Sequence, residues 1–355
     1  MFYLPRGMPE DAVERFAADA APSLAALDRN GISGWVTGHH LLDREINNER
    51  AYRAGYLYLQ LMKAELKIPE KLLRAEIKMG ELVRLRDEGV EFITRKMRSE
   101  IRQEVIDRLL PDMPPTLSEI PMVYNRENSM LYAGALTDKQ VEAFTISFQK
   151  TIGQNPVMLT PETASLSLKQ FNARDLHATS FSPECPDDEA CDGLGRDFLT
   201  WLWFFVEKGG ALAELDDVGQ TGVIIEGPLT FVRDGGAAAV AVLRKGTVLR
   251  SAEAKTSLLG GKKLTSARIT FVRGEDTWNC TFGADEFVIR SLKLPKGEAR
   301  DPESSFQERM LMLDTFRKIL TGLYKRFLEL RFDPERWTET RSEIHKWVTD
   351  RTAVM

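Results

Sequence analysis

Apolar positions along this chain recur with two periods, and each change of period marks a change of element. Between residues 8 and 30, Val13, Phe16, Ala17, Ala20 and Leu24 recur at helical spacing, with Pro9 suited to a first turn and Pro22 set to kink or split the stretch. Gly31, Gly34 and Gly38, with Trp35 among them, predict a turn-rich segment. From Tyr56 to Leu61 the pattern alternates, which predicts a strand. Glu70 to Arg86 and Glu91 to Leu110 predict two helices. In the second, Ile93, Met97, Ile101, Val105 and Leu109 form a narrow apolar stripe, while Arg95, Lys96, Arg98, Glu100, Arg102, Glu104 and Arg108 cover the other faces. Such a charged rod suits a projecting arm or helical hairpin. Asp112-Met113-Pro114-Pro115 stops it, because proline cannot continue a helix and disfavours it in the residue before.

Met122–Tyr124 and Ser129–Ala133 predict a hairpin turning at 125–128. Thr137-x-x-Gln140 is a capping box that opens a helix with Val141, Phe144, Phe148 and Ile152 on its buried face and Gly153 at its end. Pro156 to Leu159 predicts a short strand, residues 172–197 a polar and acidic loop, and Arg196 to Lys208 a helix with a broad aromatic face. From Gly222 to Leu294 the period becomes two, in segments 223–225, 229–232, 238–243, 267–272, 277–282 and 286–294, so an antiparallel meander is expected. Ser304 to Arg331 predicts a long amphipathic helix, and a last helix follows Pro334 and ends near Trp347.

The chain therefore reads as an α+β protein in five parts. These are an N-terminal α/β unit (1–68 with 119–170), a helical arm with an apolar tip (69–118), an acidic loop and aromatic helix (171–221), an antiparallel β meander with a basic segment (222–298), and C-terminal helices (299–355). The tip, Pro111 to Pro121, places Met113, Leu117 and Ile120 between prolines as a rigid exposed apolar cluster, a pattern that marks an interface and here predicts a homodimer contact.

Composition adds little: 355 residues, 43% hydrophobic and 28% charged, describe an ordinary globular protein. The longest apolar run, Phe198 to Val206, falls short of the roughly 18 residues a spanning helix needs, so no membrane partner is expected. The start has no basic region followed by an apolar stretch, so a cytoplasmic location is expected, with Cys185, Cys191 and Cys280 as reduced thiols.

Charge changes the picture more. The net charge of −5 argues against a nucleic-acid binder, but it hides an asymmetry. Between Val242 and Arg273 the bases Arg244, Lys245, Arg250, Lys255, Lys262, Lys263, Arg268 and Arg273 face the single acid Glu253, whereas between Phe181 and Glu226 only Arg196 and Lys208 oppose the acids. Local field decides where a polyanion docks. The basic segment supplies what phosphate neutralisation requires, with no base-reading helix needed, and equally fits a solvated sheet face.

Other constellations read as structural. The aromatic cluster Phe198, Trp201, Trp203, Phe204 and Phe205 covers a helix nearly all round, which favours core packing over a base-stacking platform. Cys185, Cys191 and His177 match no zinc spacing, and no cofactor or metal is expected. His39-His40 beside Asp43 reads as turn chemistry. The enzymatic alternative is a Mg²⁺-dependent nuclease using Asp234, Glu253 and Lys255 as an acid–acid–lysine site, although Ala252 and Ala254 make a poor buried strand. A third reading is a protein-interaction subunit using the acidic region 181–226.

The order of elements from residue 33 to 295 resembles the RdgC family of bacterial recombination-associated proteins. The resemblance is carried by Gly34-Trp35-Val36 followed by Leu41-Leu42-Asp43, by Ile68-Pro69-Glu70 opening the charged helical pair, and by Glu104–Pro111. It continues through the Val123-Tyr124-Asn125 hairpin, Pro156–Pro161, Gly261–Ser266, and Phe287–Leu294, while Asp197–Trp203 and the C-terminal helices resemble the longer branch of that family. The resemblance implies antiparallel sheets with a projecting arm and a ring-forming homodimer whose positive hole encircles duplex DNA. It also implies binding without sequence preference, nucleoid association, restraint of RecA-driven strand exchange and no enzymatic activity. The DNA-facing polar and basic residues of the family map onto Lys245 to Arg250, including Thr247, beside Arg244, Lys262, Lys263 and Arg268. Where the family carries a bulky aromatic at one dimer contact this chain has Leu117, which offers less area, and the usual first strand is abbreviated.

Overall fold

Trp35 is buried among Phe16, Phe144 and Phe148, and the first part of the fold closes around it. The computed structural model describes residues 1–89, 91–187, 193–233, 240–244 and 252–350. It is a mixed α+β protein with antiparallel sheets, divided into a first unit of residues 2–156 and a second of Met1 with 157–355. No helix among the described residues is long and apolar enough to cross a membrane.

The first unit runs β1 (Phe2–Tyr3), α1 (Ala12–Ala18), β2 (Ile32–Thr37), α2 (Asn48–Ala51), β3 (Tyr52–Arg53), β4 (Tyr56–Leu66), α3 (Glu70–Glu88), α4 (Arg95–Leu109), β5 (Pro115–Asn125), β6 (Met130–Ala133) and α5 (Asp138–Ile152). Its strands lie in the order β2-β4-β5-β6-β1, with β3 paired to β4, each pair antiparallel. α1 and α5 bring Phe16, Phe144 and Phe148 to one sheet face. The indole N–H of Trp35 donates to Thr151 Oγ1 at 2.9 Å, and Thr151 donates to Asp19 at 2.7 Å. Hydrogen bonds from Lys150 and Thr151 hold the Asp19 carboxyl below the usual carboxylate range. The capping box at Thr137 is present, and Gly153 ends α5 in the left-handed conformation.

Two expectations fail here for physical reasons. The glycine-rich stretch expected as turns is strand β2, paired residue by residue with β4. Gly34 is there for close approach: a Cβ would lie 2.5 Å from the Ala21 Cα. The exposed apolar tip is also absent. β5 begins at Pro115, where a strand's first position tolerates proline, and pairs with β4 from Leu66↔Pro115 to Leu57↔Tyr124. Ile120 is buried, Leu117 is half-buried against Val36, Met62 and Ala64, and Met113 packs into the arm's own core of Ile68, Leu73, Ile101 and Val105. The arm itself is the expected hairpin of α3 and α4, tied by Arg98 to the buried Glu81 at 2.7 Å and by Arg84 to Glu104 at 3.0 Å.

The second unit contains β7 (Val157–Met158), α6 (Pro161–Lys169), α7 (Leu194–Phe205), β8 (Leu212–Leu215), β9 (Gly219–Val232), β10 (Val240–Leu243), α8 (Ala252–Leu259), β11 (Lys263–Arg273), β12 (Asp276–Gly283), β13 (Val288–Lys293), α9 (Pro302–Arg331) and α10 (Pro334–Thr349). The sheet order is β10-β9-β11-β12-β13, with β8 also on β9. This departs from a meander, because β11 pairs with β9 and not with its predecessor β10. The segments expected at 223–225 and 229–232 are one long strand. α7, α9 and α10 share a single core with the sheet's inner face, so the boundaries expected at 170, 221 and 298 do not separate compact units.

Because a Cβ at position 34 meets backbone atoms and not a flexible side chain, Gly34→Ala should destabilise the first unit by about 1–3 kcal/mol. Urea unfolding monitored through Trp35 fluorescence measures this, and an unchanged midpoint would remove the close-approach explanation.

Candidate nucleic-acid interface

The period of two along β9, β11 and β12 sorts side chains between two environments. Val223, Ile225, Leu229 and Phe231, then Ala267, Ile269 and Phe271, then Trp278, Cys280 and Phe282, all face the helices and are buried. Burial pushes the Cys280 thiol up to about 12, so it is an inert core residue. The opposite face presents Ile224, Glu226 and Thr230, then Ser266, Arg268 and Thr270, then Thr277, Asn279 and Thr281, none of them buried.

Strand register turns this alternation into rows. Glu226 pairs with Arg268, Arg268 with Thr281, and Thr281 with Arg290. One step along, Ile224 pairs with Thr270, Thr270 with Asn279, and Asn279 with Lys293. Strands lie about 4.8 Å apart, so Arg268 and Arg290, two strands apart, are separated by roughly 10 Å along the row. Arg268, Arg290 and Lys293 are exposed, and Asn279 donates to the Thr270 hydroxyl at 2.6 Å. Val242 pairs with Thr230 and Val240 with Val232, extending the same face with apolar side chains 43% and 60% exposed. The result, among the described residues, is an open sheet face on which Arg268, Arg290 and Lys293 stand with Glu226 and, at the β8 edge, Glu214 paired with Gln220, in a field of hydroxyl and amide groups.

The residues singled out in the sequence fare differently. Arg268 sits on this face, Arg244 is exposed just beyond β10, and Lys262 is half-buried where the chain leaves α8. Lys245, Thr247 and Arg250 lie outside the described residues. Lys263 is not a surface cation: it is 2% exposed, and its ammonium donates to Asp197 Oδ1 at 2.6 Å. Its place at the start of β11 turns it toward α7, while its neighbour Lys262 still belongs to the turn. Arg290 and Lys293 complete the rows from a strand outside the basic segment, and only the pairing of β13 with β12 brings them in.

Of the acid–acid–lysine outline, the two members among the described residues do not converge. Glu253 and Lys255 lie on helix α8, two positions apart, where side chains do not face each other. Lys255 is buried, donates to the Asp350 carbonyl at 3.1 Å, and stands 5.3 Å over the Trp347 ring, while Glu253 is exposed. Asp234 lies outside the described residues. Among those residues no cluster of His, Cys, Asp and Glu could hold a metal ion. His40 Nδ1 accepts from Leu42 N–H at 3.1 Å and Thr37 donates to Asp43 at 3.0 Å, which is turn chemistry. The aromatic residues of α7 are core: Phe198, Trp201, Trp203 and Phe204 are buried.

No protein-family model matches the chain, and no curated protein matches it.

Lys263 and Arg268, both on β11, should separate cleanly on substitution. Lys263→Glu would place a second buried acid beside Asp197 and should cost about 3–5 kcal/mol, as expected for breaking a buried ion pair. Arg268→Glu on the open face should leave stability within about 0.5 kcal/mol. Thermal and urea unfolding of both variants would show this, and equal effects would contradict the assigned orientations.

Proposed function

We propose that this protein is a sequence-nonspecific, double-stranded DNA-binding protein associated with recombination, and that the open face of its second sheet supplies the phosphate contacts. The observation that carries the reading is the in-register placement of Arg268, Arg290 and Lys293 among Ser266, Thr270, Asn279 and Thr281. Lys and Arg neutralise phosphates, while hydroxyl and amide groups donate to phosphate oxygens without reading base edges. The aromatic side chains of β9, β11 and β12 all turn inward. A face without stacking rings suits a paired duplex better than splayed single-strand bases.

The resemblance to RdgC extends this reading: two copies form a ring around DNA, which restrains RecA-type strand exchange in the nucleoid, with no catalytic step and no cofactor. Arg244 and Lys262 remain proposed contributors, as do Lys245, Thr247 and Arg250, which lie outside the described residues. Met113, Leu117 and Ile120 are engaged within their own unit, so the proposed homodimer rests on the resemblance and not on an exposed apolar tip.

Fluorescence anisotropy with two unrelated duplexes over a salt series tests the proposal. Affinity should be equal for both and fall with a log–log slope of about −0.9 per phosphate neutralised. The triple variant Arg268→Glu, Arg290→Glu, Lys293→Glu should bind at least tenfold more weakly while unfolding at the same temperature. Strong preference for one duplex, salt-insensitive binding, or an unaffected variant would overturn it. Light scattering should give the mass of a dimer, and added Mg²⁺ should produce no cleavage.

A further inference from the structure

The helical arm of the first unit carries a groove of about 580 Å³ between α3 and α4. Its floor is apolar: Met79, Gly80 and Val83 from α3 meet Ile101 and Val105 from α4. Met79 is 60% exposed and Val83 42%, and Leu72, seven residues before Met79, is exposed on the same face of α3. α3 therefore has two apolar sides. Leu73 and Ile77 pack inside the hairpin with Ile101 and Val105, while Leu72, Met79 and Val83 remain open to solvent. Gly80 shapes the floor. Glycine inside a helix is destabilising relative to alanine, but here a Cβ would lie 2.7 Å from Ile101 Cγ2. Its absence lets the helices approach and leaves a hollow where a side chain would stand.

The rim is ionic. Bridges cross between the helices one turn before and one turn after Gly80: Arg108 to Glu76 at 2.5 Å and Arg84 to Glu104 at 3.0 Å. Arg84 also holds Glu88 at 3.0 Å, and Asp87 is tied at 2.9 Å to Arg86, which lies outside the groove. Four carboxylates therefore face three guanidiniums, one of which serves two of them, and the rim stays negative. Exposed pairs of this kind are weak, so a cation brought in from outside can share these carboxylates. An apolar floor with charged edges between two helices suits a partner helix that lays down anchors at i, i+3, i+4 and i+7. From Leu72 to Val83 the exposed strip rises about 16 Å, roughly three helical turns. The sign of the rim selects basic flanks, because opposite potentials raise specificity and the rate of encounter. α4 of a second copy is a poor occupant, since its Ile101 and Val105 are buried in its own hairpin.

We propose that this groove docks a basic amphipathic helix of a partner protein. Apolar anchors of that helix lie over Met79, Gly80 and Val83, and its lysine or arginine flanks reach Glu76, Asp87, Glu88 and Glu104. The interaction is independent of the proposed DNA binding, because the groove shares no residue with the open sheet face.

The test is fluorescence anisotropy with the full chain and a labelled peptide of roughly 14 residues, enough for about three to four turns. The peptide repeats leucines at i, i+3, i+4 and i+7, with lysines at the remaining positions. It should bind saturably and at least tenfold more tightly than the same pattern with glutamates in place of the lysines. Met79→Lys, at an exposed position, should unfold at the wild-type temperature and bind the lysine peptide at least tenfold more weakly. Leu82→Lys adds the same charge at an exposed position of α3 outside the groove and should bind as wild type does. Should Met79→Lys fail to fold, Val83→Lys decides. The triple open-face variant should keep peptide binding and Met79→Lys should keep duplex binding, so either reading can fail without the other. Equal affinity for the two peptides, or equal loss in Met79→Lys and Leu82→Lys, would overturn the proposal. So would a lower mass by light scattering for Met79→Lys than for wild type, which assigns the groove to a second copy of this chain.

Discussion

Asp197 is the constraint on which the second unit depends. A carboxylate with 3% exposure must be paired, and its partners come from far along the chain: Lys263 at the start of β11 and Arg331 at the end of α9. Ion pairs of this kind contribute little net stability over apolar substitutes, but a buried charge without its partner is severely penalised. Packings that fail to bring 197, 263 and 331 together are therefore excluded. The position of Asp197 also sets the roll of α7, since with it turned toward β11 and α9, Phe198, Trp201 and Leu202 are packed into the shared core. Other polar ties act in the same sense. Trp203 and Trp347 both donate to the Glu207 carboxylate at 2.8 Å, and Tyr324 donates to the Pro161 carbonyl at 2.8 Å. Burial pushes the Tyr324 phenol far above its ordinary range, so it remains a donor.

The open face follows from that arrangement. An antiparallel sheet has one face for the core and one for water, and the helices of this unit all pack on the same side. Alternation then places every aromatic of β9, β11 and β12 inward and leaves Thr, Ser, Asn and Arg outward. The first unit solves the same problem differently. There the segment from Ala20 to Leu27 lies against the second face of its sheet, which is why Gly34 must lack a side chain and why Val36, Met62 and Ala64 are buried.

What could be read from the sequence was what depends on local period and local chemistry. The Thr137 capping box, the stripe of α4, the Pro334 break and the alternation of 277–282 each need only neighbouring residues, and each stands where expected. The failures all involve partners distant in sequence. Gly34 reads as a turn residue unless the approach of Ala21 is known. Pro114-Pro115 reads as the base of a loop unless β4 is there to pair with the strand that follows. Lys262 and Lys263 are indistinguishable in a charge count, yet one lies in a turn and the other beneath α7, because Asp197 lies 66 residues away in sequence. That Arg268, Arg290 and Lys293 share a face could be raised from the sequence but not fixed, for the same reason: Arg290 and Lys293 join Arg268 only through register.

A chain with net charge −5 can still present a polyanion-binding face, because the sheet separates charge by side and the sequence does not. Screening at physiological salt limits exposed charges to about 8 Å of influence, so acids on other surfaces act weakly on a ligand lying over β11 to β13. On the open face Glu226 is set directly beside Arg268 by register, and it lowers the local positive potential without abolishing it. If the proposed function holds, such moderation suits a binder that must hold any duplex without arresting on one. On the proposed reading, affinity comes from several weak phosphate contacts whose sum is tuned by salt.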